Sequence, residues 1–204
     1  MGRFRKGAAV QFKELVFEGL GRQSERSFEA RARAAKIAAF VCFTAVSAQL
    51  AAPLPFTPVP LTVQTLFVVL AGVMLGPRDG CYAILAYVAL GLAGAPVFAG
   101  FSGGPHVLIG PTGGYIALFP AAALVSGYLS GRLGGSRVAV LFASLSGMAL
   151  ILAGGSSYLA LLSGLSLPRA AALGALPFVA GELVKALIAA FLSPGKAQDG
   201  GSRL

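Results

Sequence analysis

The sequence predicts an all-α integral membrane protein: a bundle of six spans with both termini in the cytoplasm. Three observations carry that reading. Only 11% of the 204 residues are charged and 56% are hydrophobic, whereas soluble domains carry about 25% charged residues. Six apolar stretches approach the roughly 20 residues that a bilayer crossing demands. The basic residues are also distributed with a strong side bias.

Taken in order, residues 1–33 form a basic cytoplasmic leader. FKELVFEGL is weakly amphipathic, with Phe12, Val16 and Gly19 or Leu20 opposite Glu14 and Glu18. It reads as a helix lying on the membrane surface or as a disordered leader. The membrane domain is expected over 34–193, with spans at 34–52, 61–76, 80–95, 113–130, 138–163 and 176–193. A cytoplasmic tail, 194–204, follows. No cleavable signal peptide is evident, because the first apolar run begins behind a long charged stretch.

Nine of the 16 basic residues precede Ile37, which places the N-terminus inside by the positive-inside rule. Arg78, Arg132, Arg137, Lys196 and Arg203 then also fall inside. Arg169 alone falls outside, and Lys185 lies within a span. The net charge of +9 is therefore a topology signal. Nucleic-acid binding would want basic residues interleaved with aromatics on a folded surface. Cys42 and Cys81 sit in or beside apolar segments and read as small buried hydrophobes. His106, the only histidine, has no neighbouring ligand for a metal.

The expected external loops are unusual. Loop 1, AAPLPFTPVPLT, carries Pro53, Pro55, Pro58 and Pro60, which forbid helix and stiffen the backbone. Loop 2, APVFAGFSGGPHVLIGPTGGY, is rich in glycine and apolar residues. Ordinary loops are polar. Stiff apolar loops on one face suggest lids over a cavity.

Two charged side chains, Glu182 and Lys185, lie deep in the last apolar span. Such residues usually face a cavity or each other, and at i and i+3 they share one helix face. They are either a salt bridge fixing helix packing or a site for a polar ligand. Glu182 would accept from an N–H donor and Lys185 would donate to a carbonyl. GPTGGY, residues 110–115, opens span 4. It is either a turn and cap or an anion-favouring pocket of peptide N–H groups, with the Thr112 hydroxyl as N-cap. Gln64, Tyr87, Tyr115, Tyr128 and Tyr158 are the other notable polar groups in spans. Ala34, Ala35, Ala38 and Ala39 give span 1 a small-residue face for close helix packing, within the chain or with a partner. No catalytic constellation is present, so the chain is read as a non-enzyme without cofactors.

The run PFTPVPLTVQTLFVVLAGVMLGPRDG, then LAYVALGLAGAPVFAG, SGGPHVLIGPTGGY and PFVAGELVKALIAA, resembles the BioY family over about residues 32–193. These are the biotin-binding S components of energy-coupling factor (ECF) transporters. The resemblance implies a six-helix bundle with a biotin site near the extracellular face, closed by loop 1 and loop 2. It maps the family's acidic-x-x-Lys motif onto Glu182 and Lys185, with Glu where Asp is common. It maps the family's site-lining GPTGGY segment onto Gly110 to Tyr115, including Thr112, Gly113 and Gly114, and a ligand-facing tyrosine onto Tyr158. On that basis Glu182 accepts from a ureido N–H of biotin and Lys185 donates to the ureido carbonyl, or in a reversed pose to the carboxylate. Tyr158 and Tyr87 pack on the ring, Phe56 helps close the lid, and Gln64 lies beside loop 1. Ala34, Ala35, Ala38 and Ala39 match the surface by which S components dock on an ECF transmembrane coupling protein, which works with ATPase subunits. The setting is a bacterial inner membrane. An S component for another vitamin, or a small intramembrane enzyme, are the competing classes.

Overall fold

The computed structural model describes the backbone of residues 2–193 and the side chains of residues 25–193. The amphipathic face built on Phe12 and Val16, and the tail 194–204 with Lys196 and Arg203, fall outside that set. No proline stands before Pro53, and the backbone is helical from Gly2 to Gln49 (α1). The chain divides into two units, Met1–Lys36 and Ile37–Leu204. The fold and the cavity described below belong to the second.

From Ile37 onward α1 buries Phe40, Thr44, Ser47 and Ala48, which recur at helical spacing, and exposes Cys42, Phe43 and Val46. The Thr44 hydroxyl donates to the Phe40 carbonyl at 2.7 Å, which satisfies it inside the helix. The four prolines of loop 1 cannot donate to any ladder. The backbone on either side of them pairs instead: β1 (Ala51–Ala52) runs antiparallel to β2 (Leu61–Thr62), with Ala51 opposite Thr62. The described fold is mostly helical, as expected, and this small ladder ties the two ends of the proline loop together.

α2 (Gln64–Leu75) and α3 (Pro77–Leu92) follow, separated by Gly76 at φ +86°. Only glycine takes that conformation without strain, and Pro77 suits the first turn of the next helix. At 1.5 Å per residue α2 reaches only about 18 Å. Spans 2 and 3 were expected to be the short ones, at 61–76 and 80–95, and both helices are shorter than a bilayer crossing. Three described helices are long and apolar enough to cross alone: Gly113–Arg132, Arg137–Ser163 and Leu167–Leu192.

Between α3 and the next long helix, loop 2 folds into a short 3-10 turn, Ala99–Phe101, and a single-turn helix, α4 (His106–Ile109). α5 (Gly113–Arg132) and α6 (Arg137–Ser163) form an antiparallel hairpin. α2 crosses α5 at a point where a Cβ on Gly72 would lie 1.9 Å from the Ala123 carbonyl oxygen, so backbone meets backbone there. The last span starts earlier than expected, at α7 (Leu167–Gly174). It passes through a 3-10 turn at Leu176–Phe178, where Pro177 interrupts the ladder, and continues as α8 (Val179–Leu192).

The interior is packed from Val68, Val69, Ile84, Tyr87, Phe119, Met148, Ile151 and Leu159. α8 turns Glu182, Lys185, Ala186 and Ala189 inward and Leu183, Val184, Leu187 and Phe191 outward. Apolar residues on the outer face and polar ones inside suit a protein solvated by lipid. The connections after α1, α3 and α6 gather at one end. The α2–α3 turn, the α5–α6 turn and Ser193 border a cleft at the other.

Candidate functional site

At the end where loops 1 and 2 meet, a cavity of about 250 Å³ opens inside the bundle. Its size is set by how the helices begin. α2 brings Gln64 and Thr65 into its wall, α5 brings Thr112, Tyr115 and Phe119, and α8 brings Glu182. Loop 1 adds Val59 and Pro60, and loop 2 adds Phe98 and Ser102. The wall is mostly apolar, with a few polar groups, which is the usual composition of a small-molecule site.

Among the described residues, Glu182 is the only charged one on that wall. Lys185 lies one turn along α8 and donates to Glu182 Oε1 at 2.5 Å. It also donates to Thr65 Oγ1 at 2.6 Å and to the Thr62 carbonyl at 2.9 Å. All three ammonium protons therefore have partners within the protein. The Thr65 hydroxyl lies 3.0 Å from Glu182 Oε1 and 2.9 Å from Oε2. It has a single proton, so it serves one carboxylate oxygen at a time. Oε2 takes no other protein hydrogen bond among the described residues, and Glu182 retains acceptor capacity toward the cavity. The pair is buried and compensated in charge, so the carboxylate stays available without an isolated charge in an apolar interior.

The sequence-predicted residues fall into two groups. Glu182, Gln64 and Thr112 are on the cavity wall. Lys185, Tyr87, Tyr158, Gly110, Gly113, Gly114 and Phe56 are not; they support it or stand away from it. Lys185 borders an outer groove on the far side of Glu182, with Ile188 and Leu61. Tyr87 is fully buried behind Phe98, ring centroids 5.6 Å apart and nearly perpendicular. Its hydroxyl accepts from Gln64 Nε2 at 2.6 Å and donates to the Val97 carbonyl at 3.0 Å. Tyr158 donates to the Leu108 carbonyl at 2.9 Å. Its Cβ would lie 2.3 Å from a Cβ on Gly114, so the glycine admits the tyrosine. Gly113 likewise admits the Leu108 carbonyl, 1.8 Å from where its Cβ would stand. Phe56 is 55% exposed, and the buried Val59 closes loop 1 over the cavity instead.

The N-cap expected of Thr112 is corrected. Its side chain makes no capping bond, because its backbone is already helical at φ −88°, ψ −9°, whereas a capping residue sits in the extended region. Ala34, Ala35 and Ala38 are exposed and Ala39 is half-buried. Sequence reasoning missed Thr65; Tyr115 was expected to line the site only as the end of the GPTGGY segment, and it is on the cavity wall. Tyr115 donates to the Gly174 carbonyl at 2.8 Å and so ties α5 to α7 at the cavity edge. Its signal was its place directly after the glycine pair. Thr65 carried no signal beyond standing next to Gln64. Among the described residues no group of three His, Cys, Asp or Glu side chains is placed to hold a metal ion.

Comparison with known proteins bears directly on this arrangement. The "Probable biotin transporter BioY" of Pyrococcus horikoshii is 45% identical over 157 residues, covering 77% of this chain and 91% of that protein. The "Biotin transporter BioY" of Rhizobium etli is 39% identical over 147 residues, covering 68% of this chain and 78% of that protein. Among solved structures, the S-component for biotin from an ECF-type ABC transporter matches with a TM-score of 0.77 at 26% identity, over 81% of this chain and 90% of that one. The BioY family model matches residues 22–199. With its spans, its cavity and these relatives taken together, the chain is a membrane protein that belongs to the BioY family.

Proposed function

We propose that this chain is the substrate-capture component of a biotin uptake system in a bacterial inner membrane. The observation that carries the reading is the Glu182 carboxylate, buried, charge-balanced by Lys185, and placed on the wall of a mostly apolar cavity. Biotin offers urea N–H donors, an apolar bicyclic body and a carboxylate tail. A urea N–H donates to Glu182, and the ring stacks among Phe98, Tyr115 and Phe119. Lys185 reaches the urea carbonyl by exchanging its bond to the Thr62 carbonyl for one to the ligand. Tyr87 and Tyr158 act from behind the wall, by holding loop 2 and the α4 turn. Backbone groups of Gly110, Gly113 and Gly114 take the carboxylate, with Thr112 beside them. Phe56 covers the outer face of the proline loop.

The domain reading is a cytoplasmic leader 1–33, a membrane domain 34–193 and a cytoplasmic tail 194–204. Six crossings with both termini inside put the cavity at the extracellular face. The chain is not an enzyme. Coupling to ATP comes from an ECF transmembrane protein with its ATPase subunits, docked on the exposed Ala34, Ala35 and Ala38 and on Ala39. The test is equilibrium binding of radiolabelled biotin to detergent-purified protein, with thiamin and riboflavin as competitors. Saturable binding displaced by biotin alone supports the reading. Displacement by another vitamin, or no binding by folded protein, overturns it.

A further inference from the structure

The segment Val97–Ser102 forms one wall of the cavity, through Phe98, Ala99 and Ser102. It is a tight loop. Phe98 and Ser102 pair across it, with the Phe98 N–H donating to the Ser102 carbonyl at 3.0 Å. Gly100 stands at φ +69°, and Phe101 follows at φ +55°. A left-handed phenylalanine is strained, and Phe101 makes no packing return for it, being 71% exposed. Something outside the loop holds it in this shape.

That hold is Gln49, the last residue of α1. Its Nε2 donates to the Phe98 carbonyl at 3.1 Å, and its Oε1 accepts from the Phe101 N–H at 2.9 Å. A second Nε2 proton serves the Ala45 carbonyl of its own helix at 3.2 Å. One primary amide thus grips the loop by a carbonyl and an N–H three residues apart, spanning the strained Gly100–Phe101 step. Only a side chain that both donates and accepts does this. On the other side, Tyr87 donates to the Val97 carbonyl.

We infer that Gln49 is the positioning residue that holds the 97–102 loop shut, and that its two bonds to Phe98 and Phe101 set the rate at which ligand enters and leaves the cavity. The inference rests on the proposed reading only in naming that ligand as biotin. Gln49 is not on the cavity wall. Breaking the clasp weakens the closed loop whether or not the cavity is filled, so entry and exit accelerate together.

The experiment uses the full chain in lipid nanodiscs. Gln49→Leu removes both bonds. Gln49→Glu keeps the acceptor for the Phe101 N–H but sets a carboxylate against the Phe98 carbonyl. Gln49→Leu is expected to raise both the association and dissociation rates of radiolabelled biotin about tenfold, the scale of two neutral hydrogen bonds, with Kd changed less than threefold. Gln49→Glu gives the same sign, and Phe101→Gly, which relieves the strain in the gripped loop, slows both rates. Hydrogen exchange of the 97–103 amides, measured without ligand, quickens in Gln49→Leu while the α5 and α6 amides stay protected. Unchanged exchange and unchanged rates overturn the clasp. So does a rise in Kd carried by dissociation alone, which marks a direct contact. If the wild type binds no biotin, the functional reading fails and the exchange experiment still decides the clasp.

Discussion

Glu182 and Lys185 meet at 2.5 Å on one turn of α8, yet only the carboxylate reaches the cavity. The ammonium stands behind it, fully engaged by Thr62, Thr65 and Glu182 itself. The two groups therefore have different parts. One stands on the cavity wall, and the other makes a buried carboxylate tolerable; the proposed binding step is what brings Lys185 to the ligand.

Glu182→Gln removes the charge with little change of shape. It leaves Lys185 as an uncompensated buried cation, which costs about 3–5 kcal/mol of stability. The double variant Glu182→Gln, Lys185→Met is expected to recover the melting temperature but not biotin binding. Thermal melts read beside radioligand binding separate the two effects. Recovery of both would show that the pair serves packing alone.

Thr65→Val keeps the volume and deletes the hydroxyl that stands between the two charges. Loss of the hydroxyl is expected to weaken biotin binding about tenfold, on the scale of one hydrogen bond to a charged group. Thr65→Ser should restore most of it. A serine variant as weak as the valine one would show that the threonine methyl, and not the hydroxyl, matters.

Gly114→Ala places a Cβ 2.3 Å from that of Tyr158. The tyrosine must then retreat and release the Leu108 carbonyl. Such overpacking is expected to cost about 1–3 kcal/mol, visible as a lower melting temperature, with weaker ligand binding at the α4 turn's end of the cavity. Gly131→Ala, whose Cβ meets nothing within 4 Å, serves as the neutral control.

Topology is open to chemical labelling. In a background of Cys42→Ala and Cys81→Ala, an impermeant maleimide should label Ser166→Cys in intact cells. Leu133→Cys should react only after permeabilisation. Both positions are exposed, and they stand beyond opposite ends of α6. The reverse pattern inverts the proposed orientation and places the cavity at the cytoplasmic face.

Much of this architecture was legible because lipid imposes simple rules. α5 and α6 were readable almost to the residue, since each is a long apolar run bounded by Gly or by charge. Glu182 stood out because a charge in an apolar span needs a reason. Thr65 did not, because a threonine at the start of an apolar helix is ordinary, and its value depends on α8 arriving 117 residues later. The two tyrosines were legible as special but not as to role. Tyr87 and Tyr158 each end on a loop carbonyl, of Val97 and Leu108, and sequence spacing carries no record of such cross-chain bonds. Thr112 was misjudged as a cap because the helix geometry begins one residue earlier than its residue type suggests.

The brevity of α2 has an effect on the surroundings. A hydrocarbon slab is about 30 Å thick, so a helix of about 18 Å leaves some 12 Å beside it that a helix does not span. Either non-helical backbone sits at that depth, shielded because it lines the pocket, or the neighbouring lipids shorten to meet the protein. In both cases acyl-chain length becomes a variable of vitamin capture: thick, sterol-like or long-chain membranes should strain the proline loop, and thin ones should relax it.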